Sequence, residues 1–398
     1  MSLNQPIQRS AALTTRQEET DAPNGIPRHL RNGQVAYLEA KQPNYSRVEQ
    51  LLNSSAESNH WANGGPVSRL LEKYVADITG LNPDRAVVVC SSGTAALNAL
   101  AGLHATKAGR PLRWAVSGFS FFTSFIGPFA GSLVVDCDEQ GMFDLEALAD
   151  HPTHSYDGIC VTNLFGLHPD LRRYEDFCRE RHKILIVDNA QGFFLVDRSR
   201  PDGPDEMISF HHTKPWGFGE GGCVIVSKQD EAIVRSLINF GTALPASAAP
   251  VAFNGKMSDV AAAYILDRLE HISNWLPKYK AQRRRITEMV HARKNLALLS
   301  PNPSRYPGTG NIPVLAARPF RIDQLESDFF VMRKYYPPPR QPGLVIARSL
   351  FARIVNIPCH LQMAGVLSEA LNQALDRLSG AHWSSRGIPK NGNSVAIS

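Results

Sequence analysis

Residues 86–97 read Ala86-Val87-Val88-Val89-Cys90-Ser91-Ser92-Gly93-Thr94-Ala95-Ala96-Leu97. The first five form a short, continuous, valine-rich apolar run, the pattern of a strand buried on both faces. Ser91 to Thr94 then punctuate a tight turn, and residues 95–103 continue as a helix. Outward from this unit the same alternation repeats. Further strand-like runs fall at 114–116, 133–136, 158–164, 184–187, 207–210 and 223–226. Helical segments lie at 67–78, 145–149 and 171–181. Short apolar strands alternating with helices predict an α/β fold with a mostly parallel sheet sandwiched by helices.

The pattern changes near residue 250. Residues 258–276 and their basic continuation read as one long helix with Ser258 as N-cap, followed by proline-rich loops and a last helix at about 364–378. The expected organisation is an N-terminal arm (1–33), a large domain (34–250), a smaller C-terminal α/β domain (251–380) and a polar tail (381–398).

Composition narrows the function classes. With 398 residues, 43% apolar and 20% charged, the chain can build a sizeable core. Its most apolar stretch, 119–135, is interrupted by Ser120, Thr123, Ser124, Gly127, Pro128, Gly131 and Ser132, so no membrane span is expected. The N-terminus is polar and lacks a hydrophobic signal core, which reads as cytoplasmic. Six scattered cysteines without a C-x-x-C pair argue against a disulfide framework and a structural metal. The one dense basic run, around Arg283-Arg284-Arg285, has no interleaved aromatic residues and reads as a solvated helix face, so no nucleic-acid partner is expected.

Four segments carry chemistry. Ser92, Gly93 and Thr94 open a helix after a strand, where free N–H groups and hydroxyls suit a phosphate; taken alone, this is only a capped turn. Asp188, in Ile184-Leu185-Ile186-Val187-Asp188-Asn189-Ala190-Gln191, follows a strand and would sit at the carboxyl end of the sheet. A carboxylate there can hold a pyridine nitrogen protonated, and Gln191 can reach the same ring; the bland alternative is a helix N-cap. Phe121, in the cluster Phe119-Ser120-Phe121-Phe122, offers a stacking face, although most such rings are core. Lys214, in Ser209-Phe210-His211-His212-Thr213-Lys214, presents an amine to a carbonyl cofactor, with Ser209 five residues upstream. The run Gly217 to Gly222 matches G-x-G-x-x-G, but a strand follows it rather than a helix, so it does not read as a nucleotide loop.

In this order and spacing the segments resemble the DegT/StrS-type nucleotide-sugar aminotransferases of the fold-type I pyridoxal-phosphate enzymes. The likeness runs from Trp61-Ala62-Asn63-Gly64-Gly65-Pro66 to Pro358 and is dense between residues 88 and 280. It rests on S-G-T-x-A-L at Ser92 to Leu97, D-x-A-Q at Asp188 to Gln191, S-F-H-x-T-K at Ser209 to Lys214 and G-E-G-G at Gly219 to Gly222. The resemblance implies pyridoxal 5'-phosphate held covalently by Lys214, with Asp188 on the pyridinium nitrogen. It further implies Gln191 on the ring hydroxyl, Phe121 on the ring face, and Gly93, Thr94 and Ser209 on the phosphate, beside the Ser92 hydroxyl already read at that turn. Asn254 matches an asparagine given to the neighbouring subunit's phosphate site, which implies a homodimer with shared active sites. The implied reaction moves an amino group from an amino acid, glutamate by analogy, to a keto group of a nucleotide-linked deoxysugar.

Some residues depart from the family pattern. They are Asn254-Gly255-Lys256 for N-Y-R, Asn163 for a common histidine, Ser117-Gly118 for Pro-Ser, and Tyr335-Tyr336-Pro337-Pro338-Pro339 without the usual Leu-His ending. All are expected where substrate is gripped, and they leave the substrate open. The alternatives are a ketosugar dehydratase, a transaminase for a cyclitol or another ketone, and a non-catalytic cofactor- or sugar-binding regulator. Dehydratase relatives usually replace the lysine with histidine, and Lys214 is intact; a regulator would be expected to have lost one of Lys214, Asp188 or Gln191.

Overall fold

The computed structural model describes residues 33–168, 170–300, 309–322 and 327–380, together with two short strands of the N-terminal arm, β1 (Glu18–Thr20) and β2 (Pro27–His29). The rest of the 1–33 arm and the 381–398 tail lie outside the described residues.

The main sheet has seven strands: β3 (Arg85–Cys90), β4 (Trp114–Ser117), β5 (Leu133–Val135), β6 (Gly158–Thr162), β7 (Ile184–Asp188), β8 (Asp205–Ser209) and β9 (Gly222–Ser227). Their order is β3-β9-β8-β7-β6-β4-β5. Only β9 runs against the others, pairing antiparallel with both β3 and β8. The mostly parallel sheet expected from the valine-rich runs is therefore present. Its strands are almost continuously buried, as a sheet covered on both faces requires.

One face is covered by α3 (Gly93–Ala108) and α6 (Glu231–Leu237), packed on Val88, Val116, Ile186 and Val224. On the other face lie α1 (Tyr45–Ser58), α2 (Pro66–Thr79) and α7 (Asp259–Glu270), against Val87, Ile208 and Ile225. Two shorter helices, α4 (Leu145–Ala149) and α5 (Arg172–Glu180), flank the β5–β6 end. Helix α1 has no counterpart in the sequence reading. Its 14 residues are mostly polar and bury only Val48, Leu51 and Ser55, so the apolar periodicity is faint. Local chemistry still starts it, because the Asn44 side chain accepts from the Arg47 N–H at 3.2 Å.

The long helix expected from residue 258 is instead two. Ser258 does cap α7, but α7 ends at Glu270 and α8 (Ile272–His291) starts afresh. The break falls at His271, whose N–H (3.3 Å) and ring Nδ1 (2.7 Å) both meet the Asp267 carbonyl, while Pro277 lies inside α8. The basic run is also not simply a solvated face. Arg284 is exposed, but Arg283 is buried against Thr309, and Arg285 donates to the Met363 and Val366 carbonyls. The expected last helix separates into a 3-10 turn, Leu361–Gly365, and α10 (Ser368–Ser379).

A second, antiparallel sheet joins β10 (Leu296–Leu298), β11 (Asn311–Ala316) and β12 (Ile354–Pro358), with α9 (Val345–Arg353) leading into β12. One apolar cluster runs from Ile208 and Phe210 through Leu266, Trp275 and Tyr279 to Ile312, Val314 and Ile357. Both sheets thus share a continuous core. Among the described residues, no helix is long and apolar enough to cross a membrane, and no group of three or more His, Cys, Asp or Glu is placed to hold a metal. All six cysteines are buried and unpaired.

Candidate active site

Strands β3, β4, β6, β7 and β8 all end at the same edge of the sheet, and β9 begins there. That edge therefore carries Ser92, Phe121, Asn163, Asp188, Ser209 and Lys214 on successive loops. The chain passes from β4 outward to β5 and then back across to β6, so the strand order reverses beside β4. Open α/β sheets bind ligands outside the carboxyl ends of their strands at such a reversal.

The turn after β3 has the free donors that an anion would need. Ser92 is the N-cap of the 16-residue α3, its Oγ accepting from the Ala95 N–H at 3.1 Å. Helix geometry leaves the Gly93 and Thr94 N–H groups without intrahelical acceptors, at the positive end of the helix dipole. Ser209, at the end of β8, packs directly against this turn. A Cβ on Gly93 would lie 3.0 Å from the Ser209 Cβ and 3.1 Å from its Oγ, so any larger residue would push the two loops apart by a few tenths of an ångström. The Ser209 hydroxyl accepts from the His211 N–H at 3.2 Å and keeps its own proton to donate.

Asp188 ends β7, level with Thr162 of β6. It is 1% exposed and accepts one backbone hydrogen bond, from Ala190 N at 3.1 Å. Burial raises its pKa above the ordinary aspartate value; the Ala190 N–H, the charge of Lys214 and the Thr162 hydroxyl oppose this. Lys214 responds to the same surroundings. Burial lowers its pKa to about 8, against the pull of Asp188. The site thus joins an amine that is partly neutral near physiological pH to a carboxylate with unused acceptor capacity.

The turn that carries Lys214 is tightly constrained. Lys214 N donates to the His211 carbonyl (2.8 Å), Gly217 N to the Lys214 carbonyl (3.0 Å), and His212 N to the Gly219 carbonyl (2.8 Å). A Cβ on Gly217 would collide with the carbonyl oxygens of Phe210 and His211, so this glycine is required by the turn and not by a nucleotide. Burial and the neighbouring lysines hold His211 down at about 4, which leaves its imidazole neutral. Its Nδ1 takes the Thr213 N–H at 3.2 Å and pairs with the Thr213 hydroxyl at 2.9 Å.

The remaining residues form the wall. Gln191 Nε2 donates to the Tyr336 hydroxyl at 3.0 Å, and the Tyr336 ring packs on Phe119 and Phe165. Tyr336 has φ +66°, a left-handed conformation uncommon for an aromatic residue. Burial, and after it the charge of Asp188, push its phenol pKa up, so Tyr336 belongs to this site. The sequence reading named Tyr336 only within a segment echoing the family. Its place beside Gln191, 145 residues away in sequence, follows from the fold alone. Phe121 is 40% exposed and packs on Phe122. Asn254 is exposed; next to it, the Gly255 carbonyl accepts from Ser91 N at 2.7 Å, in the turn after β3.

Two family departures are enclosed by the chain itself. Asn163 is 1% exposed, and its amide is spent on the His168 backbone and on Asn189. Gly118 lies under Leu344, whose methyl carbons would be 2.7 Å from an added Cβ. Both positions tune packing.

Residues 44–365 match the model of the DegT/DnrJ/EryC1/StrS aminotransferase family. The chain belongs to this family. A curated relative is Protein Rv3402c of Mycobacterium tuberculosis, 25% identical over 374 residues, covering 83% of this chain and 86% of the relative. Another is the dTDP-4-amino-4,6-dideoxy-D-glucose transaminase of Shigella dysenteriae, 23% identical over 362 residues, covering 82% of this chain and 95% of the relative. Among solved structures, DesI crystallised with its TDP-sugar product superposes with a TM-score of 0.70 at 22% identity, covering 85% of this chain and 90% of DesI. This family member is thus an aminotransferase with the expected α/β fold.

Proposed function

We propose that the protein is a cytoplasmic, pyridoxal-phosphate-dependent aminotransferase that moves an amino group from an amino acid, glutamate by analogy, to a keto group of a nucleotide-linked deoxysugar. The observation that carries this reading is the Lys214 amine, depressed to about 8, buried within the electrostatic reach of the buried Asp188 at the sheet edge. The residues present fit the cofactor. The Gly93–Ser209 cradle suits its phosphate, Asp188 its pyridine nitrogen and Lys214 its carbonyl carbon. When bound, the cofactor supplies an electron sink for the carbanion at the donor Cα.

The chain's own residues do the rest. Ser92, Gly93, Thr94 and Ser209 hold the phosphate by N–H and O–H donation. Phe121 flanks the ring, and Gln191, oriented by Tyr336, meets the ring hydroxyl. Asp188 keeps the pyridine nitrogen protonated. Lys214 moves the proton at the donor Cα, a base role for which a pKa near the working pH is suited. Asn254 completes the phosphate site of a partner subunit in a homodimer with shared active sites.

The test is direct. Purified protein with the cofactor should show a visible absorption band that Lys214→Ala removes, and wild type lacking the band would end this reading. Adding a panel of nucleotide-linked 3-keto and 4-keto sugars to the aminated enzyme should restore the band for one of them. Failure of every sugar, with the band intact, would move the substrate to another ketone.

A further inference from the structure

Lys41 lies outside every segment that marks the site, yet it is buried, at 8% exposure, beneath the Lys214 turn. Its Nζ donates to three carbonyl oxygens of that turn: His212 at 2.7 Å, Lys214 at 2.5 Å and Gly217 at 2.6 Å. A fourth carbonyl, of Pro215, accepts from Arg268 Nε at 2.7 Å. Glu39 balances these cations, its Oε2 accepting from Arg268 (2.6 Å) and from the Tyr279 hydroxyl (2.8 Å). The segment bearing Lys41 is itself anchored. Val35 bridges Phe330, the Ala36 carbonyl meets His360 Nε2 at 2.9 Å, and Gln362 Nε2 donates to the Ala40 carbonyl at 3.3 Å.

Three carbonyl dipoles aimed at one buried point repel one another unless a cation sits between them. Three acceptors also need three N–H donors, which the ammonium has and a neutral amine lacks. Burial, and next the charge of Arg268, pull the Lys41 pKa down. Glu39 opposes that pull, and the three carbonyl acceptors favour the ammonium over the neutral amine. Without the ammonium, the inward-facing carbonyls have no partner, and the turn must open to reach water.

We propose that Lys41 is a positioning residue for Lys214: its ammonium folds the His212–Gly217 turn into the conformation that keeps the Lys214 amine buried within the electrostatic reach of Asp188. This rests on the functional reading above. The simpler alternative is that Lys41 merely ties down the segment around residues 34–41.

The two are separated with Lys41→Met and a matched control, Lys334→Met. Lys334 also caps two carbonyls, of Ala352 at 2.9 Å and Phe320 at 3.2 Å, neither of them in the Lys214 turn. Two readouts are taken on the full chain without cofactor: amide hydrogen exchange across residues 211–217, and the pH dependence of Lys214 acylation followed by peptide mass spectrometry. Lys41→Met should speed exchange at Lys214 and Gly217 by about tenfold or more. It should also raise the acylation midpoint from about 8 toward the ordinary lysine value, since the opened turn admits water. Lys334→Met should do neither. Lys41→Gln, which keeps two N–H donors, should fall between wild type and Lys41→Met, and it carries the comparison if Lys41→Met does not fold. Unchanged exchange and midpoint in the Lys41 variant would overturn the proposal while leaving the function intact. A wild type with no visible band on adding cofactor would instead overturn the functional reading.

Discussion

Asp188 and Asp259 are both almost wholly hidden, at 1% and 0% exposure, and they have been put to opposite uses. Asp259 starts α7 and reaches across to α1 and α2. There it accepts from Ser55 Oγ (2.6 Å), Val67 N (3.0 Å), Ser68 N (2.9 Å) and Ser68 Oγ (2.6 Å). Burial alone would raise its pKa, but the four donors overcome this and the net shift is downward. Asp188, with one backbone donor, is shifted upward. The two lysines repeat the contrast, since Lys41 spends three N–H donors on carbonyls while the Lys214 amine meets no hydrogen-bond acceptor among the described residues. A buried charge whose hydrogen-bonding capacity is fully spent is part of the scaffold. One whose capacity is left open is where a ligand is expected.

The comparison breaks first at Asp188. Asp188→Asn should lower turnover by at least about a hundredfold, since it removes the charge placed where the reaction needs it. The same change should not destabilise the cofactor-free protein. A carboxylate whose folded pKa is raised weakens the fold above its unfolded pKa, so neutralising it should leave stability equal or up to about 1 kcal/mol higher by denaturant unfolding. A clear loss of stability would mean that Asp188 is structural.

Asp259→Ala should do the reverse. Orphaning its donors should cost about 3 kcal/mol in denaturant unfolding, with activity per folded molecule retained. The sign of the pH dependence follows from the lowered pKa. The contribution of Asp259 is present in full above the ordinary aspartate value of 3.8 and is lost as pH falls through the lower, folded-state value. The stability gap between wild type and Asp259→Ala should therefore close in acid; a constant gap would refute a charge-based role.

A smaller effect sharpens the lysine pair. Acylation of Lys214 in wild type should rise with a midpoint near 8, because the neutral amine reacts and the ammonium does not. Asp188 favours the charged lysine, so Asp188→Asn should move that midpoint down. An upward move would contradict the electrostatic coupling. The smallest expected change is Ser258→Ala, which removes the α7 cap and should cost about 1 kcal/mol without altering the Lys214 midpoint.

Much of the site was legible in sequence because its parts are local. Ser92-Gly93-Thr94, Asp188 and Ser209 each close an apolar strand, and strand ends can be read from where the valine and isoleucine runs stop. Lys214 was legible from its turn and its neighbours. Lys41 was not, for a physical reason. Its partners are backbone carbonyls 171 to 176 residues away, and a carbonyl carries no side-chain identity to recognise. Tyr336 was half legible: its segment stood out, but its hydrogen bond to Gln191 depends on how the second sheet closes over the first.

By itself the sequence determined the α/β alternation and the strand-end residues that gather at one edge of the sheet, because short-range periodicity and turn chemistry encode them. Only the tertiary structure decided which buried charges are spent and which are open. That depends on how many donors and acceptors converge on each group from distant parts of the chain.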